Sequence, residues 1–159
     1  GNAIPVAIDA AFKFNELGIP TTAGTIWETQ LSYSFTLGKG DALIAISNSG
    51  EFDKIFEAVK IANKNGAITI GITNSPHSVI GEEVQYHITT ATREKLFLDE
   101  FCFSRVSAST VIEIIFYPNL LTIKHYIYYS LFYIVNMEPI PTIFYSFYSQ
   151  FISIIRIII

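Results

Sequence analysis

The sequence predicts a three-layer α/β fold built on a doubly wound parallel sheet. Two runs, 42–46 (ALIAI) and 67–73 (AITIGIT), are almost continuously apolar and β-prone, as strands covered on both faces of a parallel sheet are. They alternate, through short connections, with segments whose apolar residues recur every three to four positions. That is the period of helices lying on a sheet. Right-handed crossovers then place helices on both faces, and ligands sit beyond the carboxyl ends of the strands.

Each element has its own signal. Over 3–17 a helix is predicted, because Ala7, Ala10, Ala11, Phe14 and Leu17 share a face and Pro5 suits a first turn. Gly18-Ile19-Pro20 stops it. Residues 21–23 read as a short strand. Residues 26–37 read as a helix with Trp27, Leu31 and either Ser34 or Phe35 on one face. The first long strand is expected over 42–47. A strongly periodic helix over 52–64 follows, marked by Phe52, Ile55, Phe56, Val59 and Ala62 and ended by Asn65-Gly66. Strands are expected over 67–72 and 84–88, with Asn74-Ser75-Pro76 breaking the chain between them. Phe103, Val106, Thr110, Val111 and Ile114 predict a last helix over 100–116.

Composition bounds the function classes. The chain has 159 residues and a net charge of −4, a single-domain length with no sign of a nucleic-acid surface. One cysteine, Cys102, excludes an internal disulfide framework and fits a reducing, cytoplasmic setting. His77, His87 and His125 show no metal-ligand spacing, so neither a metal nor a cofactor is expected. His87 falls in a strand, where a structural or exposed role is expected. No signal peptide is visible, and the chain opens without a methionine.

A compositional break falls near residue 116. Residues 117–159 contain no Gly, Ala or Asp, and seven of the nine tyrosines. Their charged residues are Lys124, Glu138 and Arg156. The expectation is an α/β domain over 1–116 and a biased apolar tail over 117–159, read as a non-native frame of AT-rich DNA. A membrane role is not expected: the apolar run 139–155 has 17 residues, short of the ~20 a spanning helix needs. Any folded part of the tail is expected to be irregular helix outside the α/β core.

The candidate site is the stretch around 40–53, GDALIAISNSGEFD. A buried strand turns through small hydroxyl residues into a helix start. The first N–H groups of a helix have no internal partner and sit at the positive end of its dipole. Such a turn suits a phosphate. Ser47, Asn48, Ser49, Gly50 and Glu51 are the candidate ligand-binding residues, with Thr73 and Ser75 approaching from the neighbouring strand end. An ordinary βα loop with a Ser cap is the alternative.

These residues resemble the SIS (sugar isomerase) domain over about 1–116. The resemblance rests on Asp41–Asp53 together with Gly66–Thr73, on the opening Gly1-Asn2-Ala3, and on Ser75-Pro76 followed by Gly81-Glu82. Thr92-Arg93-Glu94 and 103–113 resemble the RpiR-type branch of sugar-phosphate-responsive regulators. It implies a phosphorylated sugar as ligand, a sugar ring lying toward Asn2 and a partner subunit, a homo-oligomer, and DNA contacted only through a separate helix-turn-helix domain. Ala3 and Phe52 stand where the family usually has hydroxyl residues. The family's first strand would precede Gly1 and is absent here. The chain is therefore expected to be a fragment, with a defect in the sheet beside Ile44 and Ile46.

No catalytic residue is expected. Aldose–ketose isomerisation needs a base poised beside the substrate, and Glu51, Glu82, Glu94, Glu100 and Glu113 show no recognisable acid/base partner. The favoured function is a sugar-phosphate-binding effector domain. The alternatives are an isomerase subunit and a non-functional remnant.

Overall fold

The computed structural model describes residues 3–90, 105–117 and 155–158. In chain order the elements are α1 (Ile4–Glu16), β1 (Thr21–Ala23), α2 (Trp27–Thr36), β2 (Ala42–Ile46), α3 (Asp53–Lys64), β3 (Ile68–Thr73), α4 (Val79–Glu83), β4 (Tyr86–Thr89), α5 (105–117) and β5 (Ile155–Ile158). The five strands form one parallel sheet in the order β1-β5-β2-β3-β4.

Strand β2 is wholly buried because both of its faces are covered. Ala42, Ile44 and Ile46 pack with Ala7, Ala10 and Phe14 of α1 and with Ala108 and Ile112 of α5. Leu43 and Ala45 pack on the other side with Ile55, Val59 and Ala62 of α3 and Ile80 of α4. Two apolar layers meeting one strand explain the unbroken run of small and branched residues there. The expected three-layer parallel fold is the observed one.

Several helix faces differ in detail. In α2 it is Ser34, not Phe35, that turns inward; Phe35 is 64% exposed. In α5, Ala108 and Ile112 are buried, whereas Val106 and Ile114 lie in solvent; of the apolar stripe read from sequence, Val111 packs against the core and Val106 and Ile114 do not. Phe52 is exposed and forms the N-cap of α3 rather than part of its buried face. The short α4 was not anticipated. Its five residues start behind Ser78, whose side chain accepts from the Gly81 N–H and caps the turn.

The largest correction concerns the tail. Residues 155–158 are not helix outside the core. They are a strand at the interior of the sheet, in register with β1 through Thr21↔Ile155 and with β2 through Ala42↔Ile155 and Ala45↔Ile158. The expected sheet defect is therefore not seen: Ile44 is flanked by Ile70 and Ile157. The physical reason lies in the gap between β1 and β2, where both neighbours have backbone groups to pair and both faces are apolar. The sequence Ile-Arg-Ile-Ile meets those needs, since β-branched residues favour strands. Ile155 and Ile157 join the α1–α5 side, and Ile158 joins the α3 side. Arg156 places its guanidinium over the Tyr33 ring at 5.2 Å, a cation–π contact that accommodates its charge at the sheet surface. Among the described residues no helix is long and apolar enough to cross a membrane.

Candidate functional site

The carboxyl ends of β2 and β3 lie side by side, and the loops that follow them are tied together. The Ser47 N–H donates to the Ile72 carbonyl at 3.0 Å, and the Asn74 N–H to the Asn48 carbonyl at 2.8 Å. From α4, the Ile80 N–H donates to the Gly50 carbonyl at 3.0 Å. The 47–52 loop is thus held on its flank by backbone bonds from β3 and α4.

Within the loop the serines act on the backbone. Ser47 Oγ accepts from the Gly50 N–H at 3.2 Å, and Ser49 Oγ accepts from the Glu51 N–H at 3.3 Å. A hydroxyl has one proton and two acceptor sites. Accepting from an amide leaves that proton to donate, which is the polarity an anion needs. Ser49 is exposed, whereas Ser47 is 7% exposed. The N-cap of α3 is Phe52, with no side-chain cap. No side chain of the cap residue therefore covers the positive end of α3.

Gly50 is the hinge of this turn. Its φ is +71°, a conformation that costs a glycine little and a branched residue much. A Cβ there would overlap the Ser78 side chain. The loop can press against α4 only because position 50 has no side chain.

The remaining predicted residues divide. Glu51 is exposed, and its Oε1 accepts from the Val79 N–H at 3.4 Å. Thr73 is buried at the end of β3, and its hydroxyl donates to the Ser75 carbonyl at 2.9 Å. Ser75 thus meets Thr73 through its backbone. Asn2 lies outside the described residues, as do Cys102, Glu94 and Glu100. Glu113 stands apart on α5, where it pairs with Lys13 of α1, itself 3.4 Å from Asp9. Glu82 is exposed on α4. Among the described residues no three His, Cys, Asp or Glu side chains gather as a metal site would require.

Two polar residues of the region were not read as site residues. Ser78 is fully buried against Gly50; its position before Val79 with Gly81 three residues on is an N-cap signal. His87, read as structural or exposed, is half-buried on β4 with Nε2 2.7 Å from Thr73 Oγ1. No sequence spacing links positions 73 and 87. Only the β3–β4 register brings them together.

A parallel α/β sheet with a hydroxyl-lined βα loop at its carboxyl edge belongs to the open α/β architectures, in which ligand sites lie at that edge. Within that class the chain belongs to the SIS domain family, whose model matches residues 1–117. It is 35% identical over 111 residues to an uncharacterized HTH-type transcriptional regulator of Caldanaerobacter subterraneus subsp. tengcongensis, covering 70% of this chain and 39% of that protein. It is 28% identical over 116 residues to the HTH-type transcriptional regulator RpiR of Escherichia coli, covering 73% of this chain and 39% of RpiR. The chain thus spans about 39% of the length of these curated relatives. Among solved structures, the fold matches Vibrio vulnificus NanR complexed with ManNAc-6P, with a TM-score of 0.69, 18% identity, and coverage of 88% of this chain and 54% of that one. It also matches a Bacteroides fragilis candidate phosphosugar isomerase involved in capsule formation, with a TM-score of 0.67, 26% identity, and coverage of 78% of this chain and 67% of that one.

Proposed function

We propose that residues 1–117 form a ligand-binding effector domain that holds the phosphate of a phosphorylated sugar, and that in a longer, oligomeric regulator this binding alters the action of a separate DNA-binding domain. The observation that carries the reading is the 47–52 loop. Ser47 and Ser49 accept from loop amides and keep their protons for a ligand, and the Phe52 side chain does not cap α3. The similarity to RpiR and the fold shared with a sugar-phosphate-bound NanR support the same reading. Asn2 and residues of a second subunit would face the sugar ring. The role is binding rather than isomerisation: Glu51, the carboxylate at the loop, holds the Val79 N–H and has no acid/base partner in the described hydrogen bonds.

Titration calorimetry with glucose 6-phosphate, glucosamine 6-phosphate and N-acetylmannosamine 6-phosphate, each against its unphosphorylated sugar, tests the proposal. Binding is expected only for phosphorylated sugars. Ser49→Val removes a donor and adds bulk at an exposed loop position, and is expected to weaken binding about 10-fold or more, since a hydrogen bond to a charged group is worth about 1.5–3 kcal/mol. Glu51→Gln removes a negative charge from the rim and is expected to leave affinity equal or slightly higher. Equal binding of unphosphorylated sugars, or an unaffected Ser49→Val protein, would reduce the loop to a structural βα turn. Interconversion of aldose and ketose phosphates by the protein would favour the isomerase reading.

A further inference from the structure

We propose that His87 is a positioning residue for the 47–52 loop: from β4, without touching the ligand, it sets the arrangement of Thr73, Ser78 and Gly50 that shapes the anion-binding edge. The inference rests on the function proposed above for the ligand, and on independent geometry for the contacts.

The contacts form a chain. His87 pairs with Gly71 across the β3–β4 register, and its Nε2 reaches diagonally to Thr73 Oγ1 at 2.7 Å. The imidazole has room because position 81 is glycine; a Cβ there would overlap the ring. Thr73 donates its only hydroxyl proton to the Ser75 carbonyl at 2.9 Å and accepts from Ser78 Oγ at 3.4 Å. With that proton directed at the Ser75 carbonyl, Thr73 Oγ1 accepts from His87 in the tautomer that carries its proton on Nε2. Ser78, held by Thr73 and by the Gly81 N–H at 3.2 Å, packs where a side chain of residue 50 would otherwise be. The Ile80 N–H then holds the Gly50 carbonyl.

This order has a direction. A hydroxyl rotates freely, and Thr73 has two competing acceptors within reach, the Ser75 carbonyl and the imidazole. A ring that donates through Nε2 removes one of them and directs the Thr73 proton to Ser75. That closes the 73–75 turn and fixes the floor under Ser78 and Gly50. Thr73 accordingly acts as a strut between His87 and the loop, and its hydroxyl proton is not the one offered to a phosphate.

The test uses the full chain with His87→Leu, His87→Gln, Thr73→Val and the Thr73→Val/His87→Leu double variant. Amide hydrogen exchange is read at Gly50 and Ile80 and, as an internal control, across Ala42–Ile46. Affinity is read by calorimetry with glucosamine 6-phosphate and N-acetylmannosamine 6-phosphate. His87→Leu is expected to speed exchange at Gly50 and Ile80 about 10-fold, to leave the β2 amides unchanged, and to weaken binding about 10-fold. His87→Gln, whose side-chain amide can donate to Thr73 Oγ1, is expected to restore both. The double variant is expected to be no worse than Thr73→Val alone, because the two residues act in series. Uniformly faster exchange, a His87→Gln protein as impaired as His87→Leu, or additive effects in the double variant would overturn the proposal. If the parent binds no phosphosugar, the functional reading fails, and the exchange pattern alone decides the role of His87.

Discussion

Ile157→Asp is expected to abolish the cooperative unfolding transition of this protein. Ile157 is fully buried at the interior of the sheet, between Ala23 of β1 and Ile44 of β2. Losing its burial removes roughly 1.5–3 kcal/mol. Among the described residues the new carboxylate has no cationic partner in the cluster it enters, where the neighbours are the apolar side chains of α1, α5 and the adjoining strands; an uncompensated buried charge adds several kcal/mol. Together these approach the whole stability of a domain this size, about 5–15 kcal/mol. The effect is topological as well as local. Among the described strands only β5 joins β1 to β2, so its loss separates β1 from β2, β3 and β4. Phe35→Ser, at a 64% exposed position, is the matched control and is expected to change stability by about 0.5 kcal/mol or less. Thermal and urea unfolding followed by circular dichroism decide the matter. A transition unchanged in Ile157→Asp would mean that 155–158 do not occupy the sheet.

Gly50→Val is expected to eliminate phosphosugar binding while the sheet survives. At φ +71° a β-branched side chain is disfavoured, and its Cβ would overlap Ser78. The loop must therefore rotate away from α4. That movement breaks the Ser47–Gly50 turn and the bond from Ile80 to Gly50. Two or more donors to the phosphate leave their positions at once. At about 1.5–3 kcal/mol for each hydrogen bond to a charged ligand, affinity falls more than about 100-fold. The cost to folding is smaller, about 1–3 kcal/mol for a strained backbone position, because β2 and α3 keep their core contacts. Calorimetry should detect no binding, and circular dichroism should still show a cooperative, lower-temperature melt. Retained affinity would place the anion elsewhere.

Much of this fold was legible in the residues because the signals are local. Ala42–Ile46 is apolar on both pleats, and Ile68–Thr73 carries isoleucines on one pleat and the small residues Thr69, Gly71 and Thr73 on the other, so both suit interior strands. The alanine-rich face of α1 and the Ile55, Val59 and Ala62 face of α3 follow from helical period alone. The turn at Ser47–Gly50 is likewise a local pattern of small hydroxyl residues and glycine, and it sits at the strand end where it was expected. Helix α5 was less legible. Its apolar residues lie on more than one side, and Ala108 and Ile112 were distinguished from Val106 and Ile114 only by where α1 packs.

The sequence by itself determined a parallel α/β domain, the order of its strands and of α1, α2 and α3 through β4, and the position of the Ser47–Gly50 turn. Each depends on residues within a few positions of one another. Only the tertiary structure decided which segment lies between β1 and β2. That choice depends on an empty, two-sided apolar slot meeting a four-residue strand from the far end of the chain, and no local period announces such a pairing. The tertiary structure likewise decided that Thr73 and His87 meet, since strand register across β3 and β4, not spacing along the chain, sets their 2.7 Å contact.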